Sequence, residues 1–364
     1  MVVTEEEFTN WIAERTRRVT DRLKESVVTP FAFVEEASRY LLDAGGKMFR
    51  PSLVFAAGGL GHPAEGRTPG SRLGTQEAEN PSTPGHPAEG RTPGSRLGTQ
   101  AAENYFDEES LLTAAVVVEL THVASLYHDD VMAEAEMRRG GPAAHIKWSN
   151  SIAILVGDYM LAQASLLGAT LGEDFITHQA KTLGRLVQGQ IAELRGPEDG
   201  ADPVAHHLGV ISDKTAALIA ASVRYGGQFA GLPQSQVEAL TQYGECLGMA
   251  FQLADDLLDM LSEESGKPMG TDLREGVPTL ATLLVQDHPR IQDTRLLELL
   301  AAPVTEEDLP EALSLLRSHP AIDEARTHIQ SWADKALTHL DGFEEGPALT
   351  SLRTLCTQAT VRLK

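Results

Sequence analysis

The chain has 364 residues, enough to bury a large core as one domain or as two smaller ones. Its formal net charge of -22 argues against nucleic acid and anionic membranes as main partners, but phosphate ligands remain compatible with it, because local basic residues and bound metal can reverse the potential of a cleft. Cys246 and Cys356 are too few for a disulfide framework, and residues 1–7 are acidic, unlike a secretory signal. We therefore expect a cytoplasmic protein.

Most of the sequence has the apolar spacing of amphipathic helices. In chain order, the spacing predicts helices over residues 5–26, 31–43, a stretch beginning near Pro51, 108–126 and its continuation, 149–171, 174–195, 203–231, 234–262, 279–286, 293–301, 309–317, 320–341 and 346–362. No convincing alternating strand or Asn-Gly hairpin is recognisable in the sequence. The apolar stretch 151–171 contains Asp158, which argues against a membrane span. The predicted fold class is all-α.

The composition changes sharply over residues 61–104. The segment 61–76 recurs as 85–100, and the tract is rich in Gly, Pro, Ser and Thr with almost no large apolar residues. Such a tract cannot bury enough surface to offset the entropy of ordering it. We interpret it as a flexible insertion in a single domain that spans 1–364. A binding repeat is the alternative, but two copies without apolar anchors make a poor solenoid.

Two acidic clusters lie on predicted helices. The first is Asp129-Asp130, and the second is Asp255-Asp256 with Asp259. Residues i and i+4 of a helix share a face and i+1 lies close by, so the second cluster can aim three carboxylates at one point. A single aspartate pair is more often a solvated helix face, but two clusters flanked by apolar residues are costly unless a cation neutralises them. Magnesium, which prefers oxygen ligands and joins carboxylates to phosphates, is the predicted cation.

Basic residues are spread along the same part of the sequence. Each of them alone is best explained as a surface charge. Together they are typical of diphosphate ligands, with arginine forks chelating phosphate oxygens and lysines adding point charge. They are Lys47, Arg50, Arg138, Arg139, Lys214 and Lys267.

The order of these residues resembles that of the trans-polyprenyl diphosphate synthases. The motif sequences are most similar to those of actinobacterial short- to medium-chain members. The resemblance rests on Gly45-Gly46-Lys47-x-x-Arg50-Pro51, His122, the run Asp129–Arg139, Lys214-Thr215 and Phe251-Gln252-x-x-Asp255-Asp256-x-x-Asp259. The loop 266–276 also resembles the segment after the second aspartate motif of that family. The match covers nearly the whole chain except 61–104.

The resemblance implies the isoprenoid synthase fold, a helical bundle around a central cavity, and a homodimer. It also implies three magnesium ions per site and two substrates, isopentenyl diphosphate and an allylic prenyl diphosphate. Loss of diphosphate would leave an allylic carbocation, which the double bond of isopentenyl diphosphate attacks before a proton is lost. Metal and cationic side chains would stabilise the leaving diphosphate, and an apolar cavity would exclude water.

Matched by position, the resemblance assigns a role to each candidate residue. The magnesium ligands would be Asp129, Asp130, Asp255, Asp256 and Asp259. The ligands of isopentenyl diphosphate would be Lys47, Arg50, His122 and Arg139. The ligands of the allylic diphosphate would be Arg138, Lys214, Thr215, Gln252 and Lys267. Catalysis itself would rest on Asp129, Asp130, Asp255, Lys214 and Arg138.

Two positions carry further expectations. His122 has a simpler interpretation, a hydrogen-bonded histidine in a buried helix. Product length in the family is set by side chains beneath the first aspartate motif, where Ala124 and Ser125 are small and Tyr127 is bulky. A deep pocket follows from the small residues, and we expect a product of C20 or longer.

The first aspartate motif departs from the family pattern, because its last carboxylate is replaced by Ala133. On a helix, Glu136 would lie on a face similar to that of Asp129, whereas Glu134 would lie about 140° away, and neither obviously replaces the missing ligand. Three explanations stay open: an engineered slow variant, a natural enzyme with weakened metal binding, or a subunit that binds prenyl diphosphates without elongating them.

Three functions therefore compete. The first is a magnesium-dependent prenyl-elongating transferase. The second is a class I terpene cyclase, against which the set of ligands for isopentenyl diphosphate argues, since a cyclase has no second diphosphate to hold. The third is a non-catalytic partner subunit, supported only by Ala133 and the insertion.

Overall fold

The structure is a computed structural model, and it describes residues 4–61, 107–261 and 269–361. The predicted insertion 61–104, apart from Gly61, lies outside the described residues, and so does Lys267. The prediction of an all-α fold is confirmed. The helices are α1 Glu5–Ser26, α2 Ala32–Asp43, α3 Phe49–Gly58, α4 Glu108–Met132, α5 Ala144–Lys147, α6 Asn150–Ala169, α7 Glu173–Arg195, α8 Pro203–Ile211, α9 Ala217–Phe229, α10 Gln234–Leu261, α11 Thr271–Glu275, α12 Leu280–Asp287, α13 Thr294–Leu299, α14 Leu309–Arg317, α15 Ala321–Thr338 and α16 Pro347–Val361.

A π-helical turn and a short hairpin are among the features that the sequence did not predict. The stretch predicted as one helix over 203–231 is α8 and α9 joined by a π-helical turn, Ser212–Ala216. A short antiparallel hairpin, β1 Met137–Arg138 and β2 Gly141–Pro142, follows α4. Two-residue strands are too short to leave an alternating pattern, and a π-turn differs from an α-helix by one hydrogen-bond step, so neither was visible in the sequence.

The central helix α4 begins with a side-chain cap, because Asp107 accepts a hydrogen bond from the Ser110 amide at 3.1 Å. Its middle residues, from Leu111 to Ala124, are almost all buried, so this helix is surrounded by others along most of its length. Burial on all sides removes the amphipathic pattern of a surface helix and explains its continuous apolar run.

The core consists of two apolar clusters that meet along α3 and α9. In α3, Leu53 belongs to one cluster and the adjacent Val54 to the other. A Cβ at Gly226 of α9 would lie 2.4 Å from the carbonyl oxygen of Val54, so only glycine permits this close contact of α3 with α9. The two clusters are therefore joined by direct helix packing.

Two helices of the described part of the chain, α4 and α6, are long and apolar enough to cross a membrane by length and composition. Within the apolar window of α4, 78% of the residues are buried in the protein, against 33% for α6. A core helix passes the same test as a membrane span, which accounts for α4. The exposed apolar residues of α6 require a separate explanation.

Candidate active site

The first aspartate pair lies in the last turn of α4. Asp130 is fully buried, and its Oδ1 accepts a hydrogen bond from Arg138 Nε at 2.6 Å, with Nη2 at 2.5 Å. Its other oxygen, Oδ2, is buried without a hydrogen-bond partner in the described residues. Burial raises the pKa of Asp129, and the opposite charge of Lys214 acts in the other direction. The free oxygen of Asp130 and the buried charge of Asp129 are suited to a cation.

The chain turns back directly after these aspartates. Helix α4 ends at Met132 with Ala133 as its C-cap, and Glu134 takes a left-handed conformation with φ of 51°. The hairpin that follows returns Arg138 to Asp130. Glu136 lies beyond the helix end and is exposed, so the expectation that it shares a helical face with Asp129 is wrong. No glutamate of this segment takes the place of the missing carboxylate by helical geometry.

The second aspartate motif lies in α10. Asp255 is exposed, whereas Asp259 is buried and accepts a hydrogen bond from the Asp272 amide at 3.1 Å. Burial, together with the negative charges of Asp272 and Asp255, raises the pKa of Asp256 well above its usual range. Among the described residues, this motif therefore brings several negative charges together in a largely buried position.

One acidic residue, Glu193, acts electrostatically on both aspartate motifs. Lys214 Nζ lies 2.5 Å from Oε2 of Glu193, which belongs to α7. The negative charge of Glu193 raises the pKa of both Asp129 and Asp256, after the effect of burial. Electrostatic effects of this kind fall off with distance, so Glu193 lies near both motifs although they are far apart in sequence.

Two cationic groups of the candidate site for isopentenyl diphosphate, Arg50 and Arg139, act on a buried acid, Glu119. Its Oε1 lies 4.0 Å from Arg139 Nη2, and burial raises its pKa while Arg50 and Arg139 oppose that shift. Arg50 Nε is buried without a hydrogen-bond partner in the part of the chain described. Burial, followed by the charges of Arg50 and Arg139, keeps the pKa of His122 well below its usual range, so its imidazole is neutral. The guanidinium groups of Arg50 and Arg139 are suited to bind the oxygens of a diphosphate.

The second glycine of the pair before Lys47 packs against the guanidinium of Arg139. A Cβ at Gly46 would lie 3.1 Å from Arg139 Nη2, so the backbone approaches the guanidinium directly. Arg139 also donates through Nη1 to the Leu41 carbonyl at 2.6 Å. Lys47 itself is exposed at the edge of the loop. The structure thus brings Arg50, His122 and Arg139 together and leaves Lys47 at the rim.

Lys214 and Thr215 belong to the stretch 203–231, which was predicted as one helix. They lie inside the π-turn Ser212–Ala216, in the middle of a continuous helical run. Thr215 Oγ1 donates to Gln252 Oε1 at 3.1 Å, and Gln252 Nε2 donates to Asp256 Oδ1 at 2.7 Å. The turn is therefore connected by hydrogen bonds to the second aspartate motif.

Among the described residues, no group of three His, Cys, Asp or Glu side chains is gathered closely enough to hold a metal ion by itself. The unpaired Oδ2 of Asp130 nevertheless fits a hard divalent cation. So does Asp256, whose pKa is raised by burial and by neighbouring carboxylates. Magnesium keeps several waters and shares its remaining ligands with substrate phosphates, so a preformed protein cage is not required.

The sequence prediction missed three charged residues of this region. Glu119 was hidden in the apolar run of α4, where a lone acid one turn before His122 was the available signal. Glu193 and Arg185 lie in α7 among charged residues with the spacing of an ordinary surface helix. Their importance comes from the elements that α7 contacts, which a single sequence does not reveal.

Residues 93–316 match the model of the polyprenyl synthetase family. This chain belongs to the polyprenyl synthetase family. It is 42% identical over 252 residues to the nonaprenyl diphosphate synthase of Mycobacterium tuberculosis, with 68% of this chain and 75% of that protein covered. The family membership predicted from the motifs is therefore confirmed. As a member of this family, the chain is a trans-prenyltransferase.

Solved structures of the same family share the fold over nearly the full chain. The geranylgeranyl pyrophosphate synthase of Corynebacterium glutamicum, in complex with calcium and isoprenyl diphosphate, is 33% identical with a TM-score of 0.78 and covers 98% of both chains. The decaprenyl diphosphate synthase of Rhodobacter capsulatus is 27% identical with a TM-score of 0.79 and covers 99% of this chain and all of that one. The polyprenyl synthetase described here has the same all-α architecture.

Proposed function

We propose that this chain condenses isopentenyl diphosphate with an allylic prenyl diphosphate, in a magnesium-dependent reaction, to give a trans-prenyl diphosphate of C20 or longer. The observation that carries the proposal is the π-turn of Lys214 and Thr215: the charge of Lys214 acts on Asp129 of the first aspartate motif, and Thr215 is connected through Gln252 to Asp256 of the second. The separate cationic pocket of Arg50, His122 and Arg139 supports a second diphosphate. A terpene cyclase has no use for that pocket.

The residues divide the chemistry between two diphosphates. Asp129, Asp255, Asp256 and Asp259 would hold magnesium, with Asp130 supporting them from its ion pair with Arg138. When bound, three magnesium ions would neutralise charge on the departing diphosphate. The allylic diphosphate ligands would be Arg138, Lys214, Thr215, Gln252 and Lys267, the last outside the described residues. The isopentenyl diphosphate ligands would be Lys47, Arg50, His122 and Arg139.

The proposed reaction breaks the allylic C–O bond, and the electron pair leaves on the diphosphate. The double bond of isopentenyl diphosphate then forms the new C–C bond, and loss of a proton restores a double bond. Cationic side chains positioned before the reaction stabilise the charge that develops on the leaving group. Partial burial of Arg50 and His122 would limit the water near the second substrate.

Product length is proposed from the residues beneath Asp129. Ala124, about one helical turn before the motif, contributes only a methyl group and is fully buried. Tyr127 is also buried, but its hydroxyl donates to the Ala37 carbonyl of α2 at 2.7 Å. The aromatic ring is therefore held against α2. These two observations support a product of C20 or longer.

Product analysis tests the proposed function. The protein is incubated with magnesium, isopentenyl diphosphate and, in turn, geranyl, farnesyl or geranylgeranyl diphosphate, and the products are separated by chromatography. Longer prenyl diphosphates are expected, and chelation of magnesium is expected to abolish them. Hydrocarbons or terpene alcohols would instead show cyclisation. Absence of any product, even from Ala133→Asp, together with binding to a second synthase, would overturn the proposal in favour of a partner subunit.

We also propose that the protein is a homodimer through the exposed apolar face of α6 and α7. Exposing large apolar side chains to water is unfavourable. An extended apolar patch on a protein surface is typical of an interface with another protein. The contributing residues and their exposed fractions are Leu155 62%, Leu166 65%, Val187 51%, Ile191 51% and Leu194 59%.

Ile191→Lys is expected to weaken this dimer. A lysine places a charge in the apolar patch, and the apolar burial lost at each copy is worth about 1.5–3 kcal/mol, or tenfold or more in Kd. Light scattering after size exclusion measures the mass of each variant. Val28→Lys is the matched control, because Val28 is 56% exposed but lies after α1. A monomeric parent protein, or a fully dimeric Ile191→Lys, would contradict the proposed interface.

We further propose that residues 1–364 form one domain, with 61–104 as an insertion. We also propose that the protein is located in the cytoplasm. Helices α3 and α9 contribute to both core clusters, which supports one folding unit. The free and buried thiols of Cys246 and Cys356 are compatible with a reducing compartment.

A further inference from the structure

The π-turn Ser212–Ala216 holds both Lys214 and Thr215. Its bond runs from the Ala217 amide to the Ser212 carbonyl, five residues earlier. A π-helical turn is rare in proteins and occurs mostly as a single turn within an α-helix. The Ala216 amide could otherwise make the ordinary four-residue bond, which would rotate Lys214 and Thr215 relative to α9. Contacts from outside the helix are therefore needed to keep this turn.

Arg185 of α7 supplies such contacts from one guanidinium group. Its Nη2 donates to the Ser212 carbonyl at 3.2 Å, so this carbonyl accepts a second hydrogen bond besides that of the π-turn. Its Nε donates to Asp213 Oδ1 at 2.8 Å, one residue before Lys214. Its Nη1 donates to Glu245 Oε1 of α10 at 2.5 Å. One side chain thus connects α7, the π-turn and α10.

Two glycines bring the neighbouring helices against the same turn. A Cβ at Gly189, one turn after Arg185, would lie 2.6 Å from the Lys214 amide nitrogen. On the opposite side, a Cβ at Gly248 of α10 would lie 2.5 Å from Ala216 Cα. Separations below 3.0 Å are not tolerated between Cβ and backbone, so glycine is required for this packing. The turn is held between two helices at fixed distance.

We propose that Arg185 is a positioning residue, which holds the π-turn so that Lys214 and Thr215 meet the allylic diphosphate. The inference rests on the proposed allylic role of these two residues. A planar guanidinium with donors in a rigid fork can satisfy Asp213, Ser212 and Glu245 together, whereas the single point charge of lysine cannot. Arg185 need not touch either substrate to act in this way.

Arg185→Met tests the inference, because methionine keeps the apolar stem and removes every donor. Binding of a non-reactive thiolo analogue of the allylic diphosphate is measured by calorimetry, and steady-state rates give kcat and both KM values. Displacement of a ligand group by about 1 Å can cost about 10²-fold, so we expect the allylic kcat/KM to fall about 10- to 100-fold. The KM for isopentenyl diphosphate is expected to remain unchanged.

Three companion variants sharpen this test. Arg185→Lys should recover part of the loss, and Gly189→Ala, in the same helix, should produce the same selective defect by displacing the Lys214 backbone. Lys181→Met, an exposed lysine one turn earlier in α7, should leave both KM values unchanged. Hydrogen exchange over residues 212–217 should accelerate in Arg185→Met and not in Lys181→Met.

Lys214→Met separates this inference from the proposed function. If Lys214→Met leaves binding of the allylic analogue unchanged, the allylic assignment of Lys214 fails. If Lys214→Met weakens binding but Arg185→Met does not, only the role of Arg185 is refuted. Equal losses for both substrates in Arg185→Met, with a lower Tm, would likewise refute it, because a general structural role predicts that pattern.

Discussion

Asp255→Asn is expected to lower kcat by about 10²- to 10³-fold, the cost of removing one group that stabilises developing charge. Asparagine has nearly the same shape as aspartate but no negative charge, so it weakens the hold on magnesium. The side chain of Asp255 is exposed, unlike that of Asp259. An exposed substitution without a structural partner changes the free energy of unfolding by about 0.5 kcal/mol or less. Lost turnover with unchanged Tm would therefore identify a chemical role.

The measurement is kcat as a function of magnesium concentration, together with thermal unfolding. The magnesium concentration for half-maximal rate should rise in Asp255→Asn. Asp334→Asn is a suitable control, since Asp334 is an exposed aspartate in α15 outside the candidate site. Unchanged magnesium dependence in Asp255→Asn would remove this residue from the proposed set of ligands.

Ala133→Asp is expected to raise kcat by about 10²-fold, because it restores a carboxylate to the first aspartate motif. The Ala133 amide donates to the Asp129 carbonyl at 2.8 Å, which is the helical i to i+4 relation. A side chain at 133 therefore starts on the same face as Asp129. Ala133 is exposed, so the longer side chain has room without repacking the core.

Met137→Asp is the matched control for this gain, since it adds the same charge at an exposed position of β1. A rise in kcat at lower magnesium, seen only for Ala133→Asp, would show that the parent enzyme is limited by its metal site. Equal turnover in the parent and Ala133→Asp would show that the remaining aspartates suffice. Inactivity of both proteins would favour the partner-subunit explanation.

The helices themselves were predictable because burial of one face repeats every 3.6 residues. The spacing predicted helices over 5–26 and 309–317, and both are present with these bounds. The run 203–231 was predicted as one helix, and the spacing gave no sign of the π-turn. That turn depends on Arg185 and Gly189, which belong to a different helix. Contacts between distant segments are not encoded in local periodicity.

The candidate site shows the same division between local pattern and packing. Helical spacing and the order of motifs were enough for the all-α class, the aspartate motifs and the family. Packing alone decided that Glu119 meets Arg50 and Arg139, and that Glu193 lies close to both aspartate motifs. The physical reason is that a side chain acquires its partners, and thereby its charge state, from whichever helix face packs against it. Helical periodicity states which face is apolar, and only the assembled bundle determines what that face meets.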